Sequence, residues 1–302
     1  MKSLVQEPTS SWGGPWTDKK LTAFTKYVRA YLKIMNRHKN WKTIYFDGFA
    51  GGGVRRTEVA SSGQLGLFEM MTDIEGKERI YEGSALRVLS MEPNYRFNYY
   101  YFVDKNEERI AELRKNIASL ENINDRIIEA RVNDCNNQLL KLAQALQNKT
   151  YAALIFLDPF GMQIRMSSLT ALKGTRSDIW ILIPSGVAVN RLLDRKMVIK
   201  SKERLADFFG IEIEKIEASF YAEDASGQQS LFSQEGHSKR KVDQPIDRIS
   251  SLYAERMKEI WQFVTIPMPL KNRRGVSIFH LIFGSNNPAA YKIARYLVEN
   301  TE

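Results

Sequence analysis

Four short segments carry side chains able to do chemistry, and each follows a run of apolar residues. The first is Asp47-Gly48-Phe49-Ala50-Gly51-Gly52-Gly53. Glycines let backbone pass close to a ligand and take positive φ. The segment is not a P-loop, because no Gly-Lys-Ser/Thr follows, and it lacks a full G-x-G-x-x-G with a helix directly behind it. A ligand without a pyrophosphate suits it better. S-adenosylmethionine, with an amino-acid tail and a sulfonium, is such a ligand, and Asp47 would accept from its ammonium directly or through water.

The second is Asp104, closing the run Asn98-Tyr-Tyr-Tyr-Phe-Val-Asp104. A carboxylate at the end of a strand can accept both ribose hydroxyls of an adenosine ligand. The plainer reading is an acidic cap on the helix that follows. The third is Asn133-Asp134-Cys135-Asn136, where Asp134 would accept from an adenine amine, or again cap a helix. Cys135 reads as a small packing residue rather than a nucleophile.

The fourth is Leu157-Asp158-Pro159-Phe160-Gly161. Proline fixes its own φ and keeps Asp158 out of the α region. The Asp158 carboxylate and the Pro159 carbonyl can then face one amino group, with Phe160 stacking on a planar base. Such a site holds an extruded base beside a cofactor.

Each signal is weak alone; their order along the chain carries the expectation. The elements that would position them alternate. A helix is expected from Thr17, capped by Thr17 or Asp18, with Leu21, Phe24, Val28, Tyr31 and Leu32 on one face. Strands are expected at 43–49, 98–104, 127–132, 152–157 and 179–183, with helices at 83–89, 107–120, 137–147 and 167–173. The runs Ala152–Leu157 and Ile179–Ile183 are wholly apolar, as in central parallel strands covered on both faces. Two further strands, 262–266 and 277–283, bracket a Pro-rich turn and suggest an antiparallel C-terminal hairpin, with a last helix at 289–298. The alternation predicts a Rossmann-like α/β fold: an open, mostly parallel sheet with that hairpin and helices on both faces. In such a sheet ligands bind at the carboxyl ends of the strands.

One domain spanning 1–302 is expected, with a loose arm at 1–15, insertions at about 54–82 and 195–250, and a polar segment at 223–244. The 302 residues are 43% hydrophobic, enough for a packed core. The single cysteine precludes an internal disulfide, and the three histidines, His38, His237 and His280, are scattered. No metal site is expected. The first residues have no apolar signal core, so a cytoplasmic protein is expected.

The formal net charge of +9 favours polyanions. Arg191, Arg195, Lys196, Lys200, Lys202 and Arg204 follow the fifth strand. Lys239-Arg240-Lys241 and Lys271, Arg273 and Arg274 extend a possible phosphate-contacting track. The plainer reading of any one of these clusters is a solvated face.

Taken together, the chain resembles the three-Cys-motif partner proteins, which have a class I methyltransferase-like domain. The matching residues are Trp16 with Lys20-Leu21, Tyr45-Phe-Asp-Gly-Phe-Ala-Gly51, Gly83-Ser84-Ala85-Leu86 and Phe102-Val-Asp104. Asp134 with Asn136, Phe156-Leu-Asp-Pro-Phe-Gly161, Asn190-Arg191 and Phe279-His-Leu-Ile-Phe283 complete the set. The resemblance implies a seven-stranded methyltransferase sheet, S-adenosylmethionine as ligand and a partner protein carrying the three-cysteine motif. Asp-Pro-Phe-Gly departs from the Asp-Pro-Pro-Tyr of DNA adenine methyltransferases and is similar to the tetrad of transfer-RNA guanine N2 methyltransferases.

The expected function is methyl transfer to an exocyclic amine of an RNA or DNA base. The expected cofactor-binding residues are Asp47, Phe49, Ala50, Gly51, Asp104, Asp134, Cys135 and Asn136. The expected catalytic set is Asp158, Pro159, Phe160 and Gly161. The alternative is a catalytically silent, methyltransferase-shaped subunit that binds nucleic acid.

Overall fold

The computed structural model describes residues 15–56, 80–121, 123, 125–193, 199–223, 239–272 and 274–300. Residues 1–14 of the expected N-terminal arm, most of the first expected insertion, residues 194–198 and 224–238, and the side chains of Arg195, Lys196, Lys239, Arg240 and Arg273 lie outside what is described.

An open sheet organises the chain. Its strands are β1 (Lys42–Asp47), β4 (Tyr99–Asp104), β5 (Ile127–Val132), β6 (Tyr151–Leu157), β7 (Ser177–Ile183), β10 (Phe263–Val264), β11 (Met268–Lys271) and β12 (Ser277–Ser285). The order is β10-β12-β7-β6-β1-β4-β5, with β11 also on β12. The five strands from β5 to β7 are parallel, and β12 runs antiparallel to β7. The sheet has eight strands in seven lanes. β10 and β11 pair end to end with the side of β12 that β7 leaves free. The expected Pro-rich turn thus contains a strand: Met268 and Leu270 face inward from β11, with Pro269 between them on the edge strand, where a missing N–H is tolerated.

Two two-stranded ladders flank the sheet. β2 (Val54–Arg56) pairs β3 (Ile80–Glu82), and β8 (Tyr221–Glu223) pairs β9 (Lys239–Lys241). The ends of the first expected insertion and of the expected polar segment 223–244 are therefore ordered pairings, and the second expected insertion holds helices on both sides of its pairing.

The helices are α1 (Pro15–Met35), α2 (Ser84–Leu89), α3 (Glu107–Ala118), α4 (Cys135–Ala145) and α5 (Met166–Thr170). After β7 come one π-helical turn, Ser185–Val189, and one α-turn, Asn190–Leu192. Then follow α6 (Lys202–Phe209), α7 (Ile213–Phe220), α8 (Pro245–Met257) and α9 (Pro288–Asn300). Strand side chains alternate between two cores. Phe46, Ile155 and Ile181 face α4, α6 and α8, whereas Tyr45, Leu154, Phe156 and Trp180 face α1, α2, α3 and α9. This is why the central strands read as continuous apolar runs: both faces are covered.

The expected face of α1, from Leu21 to Leu32, is buried as predicted. Its start differs: the helix opens at Pro15, so Thr17 lies inside the first turn, buried, and does not cap it. Proline suits a first helical turn because its absent N–H has no intrahelical partner there. Among the described residues no helix is long and apolar enough to cross a membrane.

Candidate functional site

Parallel strands bring their C-terminal turns to one edge, so β1, β4, β5 and β6 present all four sequence-predicted segments along one rim. Sequence order runs outward from β1 through β4 to β5 and then returns to β6 on the other side of β1. The reversal between β1 and β6 is where such sheets leave a crevice.

Asp104 lies at that edge, 8% exposed. Its Oδ2 accepts from the Gly51 amide at 3.1 Å and its Oδ1 from the Asn106 amide at 2.9 Å. It does not cap the next helix; Asn106 does, its side chain accepting from the Arg109 amide. Among the described residues Asp104 has no cationic partner. A carboxylate offers about four acceptor positions, and two backbone donors leave room for two more. Gly51 holds φ +59 with open space where a Cβ would stand, so ligand backing can approach there.

Asp134 caps α4 by accepting from the Asn137 amide at 3.1 Å and pairs with Lys105 Nζ at 2.6 Å. Burial pulls its carboxyl upward, but the Lys105 hydrogen bond and charge outweigh that and hold it below the usual carboxylate range. The capping reading is thus realised, with the side chain still at the rim.

Asn136 is buried and spends its amide on the loop after β6. It donates to the Gln163 carbonyl and accepts from the Arg165 amide, both at 2.8 Å. Cys135 is buried, and burial raises its thiol well above the usual range, as expected of packing rather than nucleophilic use.

A narrow cleft joins Gly48, Phe49, Asp104, Asp134, Asn136 and Phe160, with Arg109 and Gln163 beside them. Its volume is about 20 Å³, room for roughly one water. The Arg109 guanidinium sits 5.7 Å from the Phe160 ring centroid, and the Phe160 amide donates to Gln163 Oε1 at 3.1 Å.

Asp47 stands apart from this cleft. It is fully buried and accepts from Ser84 Oγ at 2.5 Å, Tyr45 Oη at 3.1 Å and the Phe49 amide at 3.2 Å. Burial pushes its carboxyl up to about 6, against those hydrogen bonds. It fastens the glycine loop and α2 from beneath. Ala50 is buried under the same loop and donates its amide to the Val103 carbonyl.

Asp158 and buried Pro159 follow β6. Asp158 Oδ2 accepts from Lys20 Nζ at 2.6 Å, the lysine side chain 2% and the aspartate 16% exposed. Sequence reasoning placed Lys20 among family-matching residues but gave it no role. A lysine on the buried face of an amphipathic helix, one residue before Leu21, was the signal available. Gly161 has open space around it.

A second polar chain escaped sequence reasoning. Ser185 Oγ and His280 Nδ1 lie 2.7 Å apart, and His280 Nε2 lies 3.4 Å from Asp247 Oδ1. Ser185 and His280 are buried, so no substrate reaches the hydroxyl and the chain ties the π-helical turn to β12 and α8.

The strand order and the rim define an open, mostly parallel α/β protein with a polar cleft at the carboxyl edge of its sheet. No family model matches the chain, and no curated protein does. Among solved structures it is similar to protein LPL1258 from Legionella pneumophila strain Philadelphia 1, of the family described as DUF519. Identity is 12%, covering 96% of this chain and 94% of that one, with a TM-score of 0.47. It is also similar to Trm1 from Pyrococcus horikoshii, solved with S-adenosyl-L-methionine, at 12% identity over 85% of this chain and 78% of that one, TM-score 0.35. At this level of likeness neither comparison bears on function.

Proposed function

We propose that this chain is an S-adenosylmethionine-dependent methyltransferase of the three-Cys-motif partner kind, acting on an exocyclic amine of an RNA or DNA base. The observation that carries the reading is Asp104: a buried carboxylate at the carboxyl end of β4, held by two backbone amides, one from the glycine loop, with acceptor capacity to spare.

The residues present fit the adenosyl half of such a ligand. Asp104 would take the ribose hydroxyls, the open backbone at Gly51 would lie against the ligand, and Asp134 would accept from the adenine amine. Asp47 acts only through the loop it fastens, because its carboxylate is enclosed. When bound, the cofactor supplies a methyl group on a sulfonium, electrophilic without further activation. The protein's share is then mainly positioning. Lys20 occupies one oxygen of Asp158, so the other oxygen and the Pro159 carbonyl are left to orient a target amine. Phe160 would leave Arg109 to stack on the base.

Phosphate contacts fit the same rim. Arg191 follows β7, and the turn carrying Lys271 and Arg274 joins β11 to β12 at the carboxyl edge; all three are exposed. These exposed cations support a polyanionic substrate. The setting we propose is cytoplasmic, with a protein carrying the three-cysteine motif as partner and residues 1–302 as one domain.

A second reading is favoured by the Lys20–Asp158 pair and the closed cleft: a catalytically silent subunit of the same fold that binds nucleic acid. Calorimetry with S-adenosylmethionine separates the two. The enzyme binds it, Asp104→Ala abolishes that binding, and labelled methyl passes to total cellular RNA or DNA. A chain that binds nucleic acid but shows no heat with the cofactor is the silent subunit.

A further inference from the structure

One side of the sheet ends on β5, and among the described residues no strand pairs with its outer edge. The Asn133 amide donates to the Asp104 carbonyl of β4 at 2.9 Å. Peptide groups along a strand alternate in direction. Glu129 and Arg131 therefore turn their N–H and C=O groups toward β4, and Ile128, Ala130 and Val132 turn theirs outward. The Ala130 carbonyl agrees with this: it accepts from Arg114 Nη2 of α3 at 2.6 Å. A carbonyl oxygen has two lone pairs, so one is left for a further donor.

A free edge of this kind is a template for another strand unless something blunts it. β5 carries no proline, no lysine and no bulge. Ile127 and Val132 are exposed, two of only six large apolar side chains so placed among the described residues. Ile128 and Ala130 pack on the core beneath α1, α2 and α3, and Val132 follows them on that face by alternation. The other face holds the charges. Glu129 accepts from Arg131 Nε at 2.6 Å, and the Arg131 guanidinium lies 5.7 Å from the Tyr101 ring centroid.

The pattern is complementary to itself in one register. Two copies of β5 related by a two-fold axis normal to the sheet run antiparallel, and side chains directly opposite one another lie on the same face. With Ala130 on the axis, Glu129 opposes the partner's Arg131 and Arg131 opposes the partner's Glu129. On the apolar face Ile128 opposes the partner's Val132, again twice, and the smallest side chain of the strand sits at the centre. The outward N–H and C=O groups of Ile128, Ala130 and Val132 then meet those of Val132, Ala130 and Ile128. The neighbouring registers set Glu129 against Glu129 or Arg131 against Arg131, and like charges directly opposite are destabilising.

We propose that the outer edge of β5 docks a second copy of this chain, through an antiparallel β5–β5 pair centred on Ala130 that continues one sheet across the dimer. The two Glu129–Arg131 pairs come together as a ring of four alternating charges, and Ile128 and Val132 of both copies cover the seam on the other face. Arg114 keeps its bond to the Ala130 carbonyl from the α3 side. Antiparallel pairing turns the two carboxyl edges in opposite directions, so both clefts stay open. The dimer is independent of the methyltransferase reading.

The test is the mass of the full chain in solution, read by light scattering after gel filtration over a range of loading concentrations. The mass should rise toward twice that of the chain as concentration rises. Arg131→Glu sets like charges opposite one another at two places and should raise the dissociation constant about tenfold. Its side chain is exposed, so the urea midpoint of the monomer should barely move. Combining it with Glu129→Arg restores both cross-strand pairs and should restore the dimer. Ala130→Pro removes the central outward N–H, which an edge strand tolerates, and should leave a folded monomer. A single-chain mass at every concentration overturns the proposal. So does a dimer that Arg131→Glu and Ala130→Pro leave intact, or one that the charge-swapped double variant fails to recover.

Discussion

Lys20 of α1 and Asp158 at the end of β6 meet at 2.6 Å across 138 residues of chain. The lysine is among the largest fully buried side chains. The pair fixes the first long helix against the turn that carries Asp158, Pro159 and Phe160.

Removing one partner leaves the other charge uncompensated in a poor solvent. Lys20→Met should therefore destabilise the fold by about 3 kcal/mol, read as a lower urea midpoint at unchanged slope. A Lys20→Met, Asp158→Asn double variant should recover part of that loss. Equal midpoints for wild type and Lys20→Met would show that the pair contributes nothing.

The glycine loop is tight at Gly48. A Cβ there would stand 2.6 Å from Leu157 Cδ2 and inside contact distance of Cys135 Sγ. Gly48→Ala should cost about 1–3 kcal/mol through overpacking. Adding Cys135→Ala removes the sulfur and should restore much of the stability, a coupling that thermal denaturation of the four proteins reveals.

Stability should depend on pH in two opposed ways. Burial raises Asp178 to about 6, above its unfolded value of 3.8. Between roughly pH 4 and 6 the folded state then holds more protons, and stability falls as pH rises through that window. Burial lowers His280, against the pull of Asp247. Its folded state resists protonation, so its contribution is lost as pH falls below the unfolded value of 6.5. Asp178→Asn removes its own share of the first effect and leaves that of Asp47, which burial also raises to about 6. The variant's stability relative to wild type should climb by about 2 kcal/mol between pH 4 and 7. A flat difference across that range would place the titrating proton elsewhere.

Nucleic-acid affinity, measured by anisotropy, should fall linearly in log–log form with salt if phosphates are neutralised. Lys271→Ala and Arg274→Ala should each reduce the slope by about one. A slope near zero in the wild type would remove the polyanion reading.

The amino-acid sequence by itself determined the layers and the rim. Continuous apolar strands separated by amphipathic helices can only be buried on both faces of a parallel sheet, and parallel strands send their terminal turns to one edge. Asp104, Asp134 and Asp158 were legible there because their positions follow from local periodicity. What each carboxylate touches was decided only by tertiary packing. Asp47 turned inward to Ser84, Lys20 reached Asp158 from another element, and Ser185 met His280 across 95 residues. β11 formed inside an expected turn because the free side of β12 offered an edge to pair with. Such contacts join residues far apart in the chain, and no spacing along a single strand or helix encodes them.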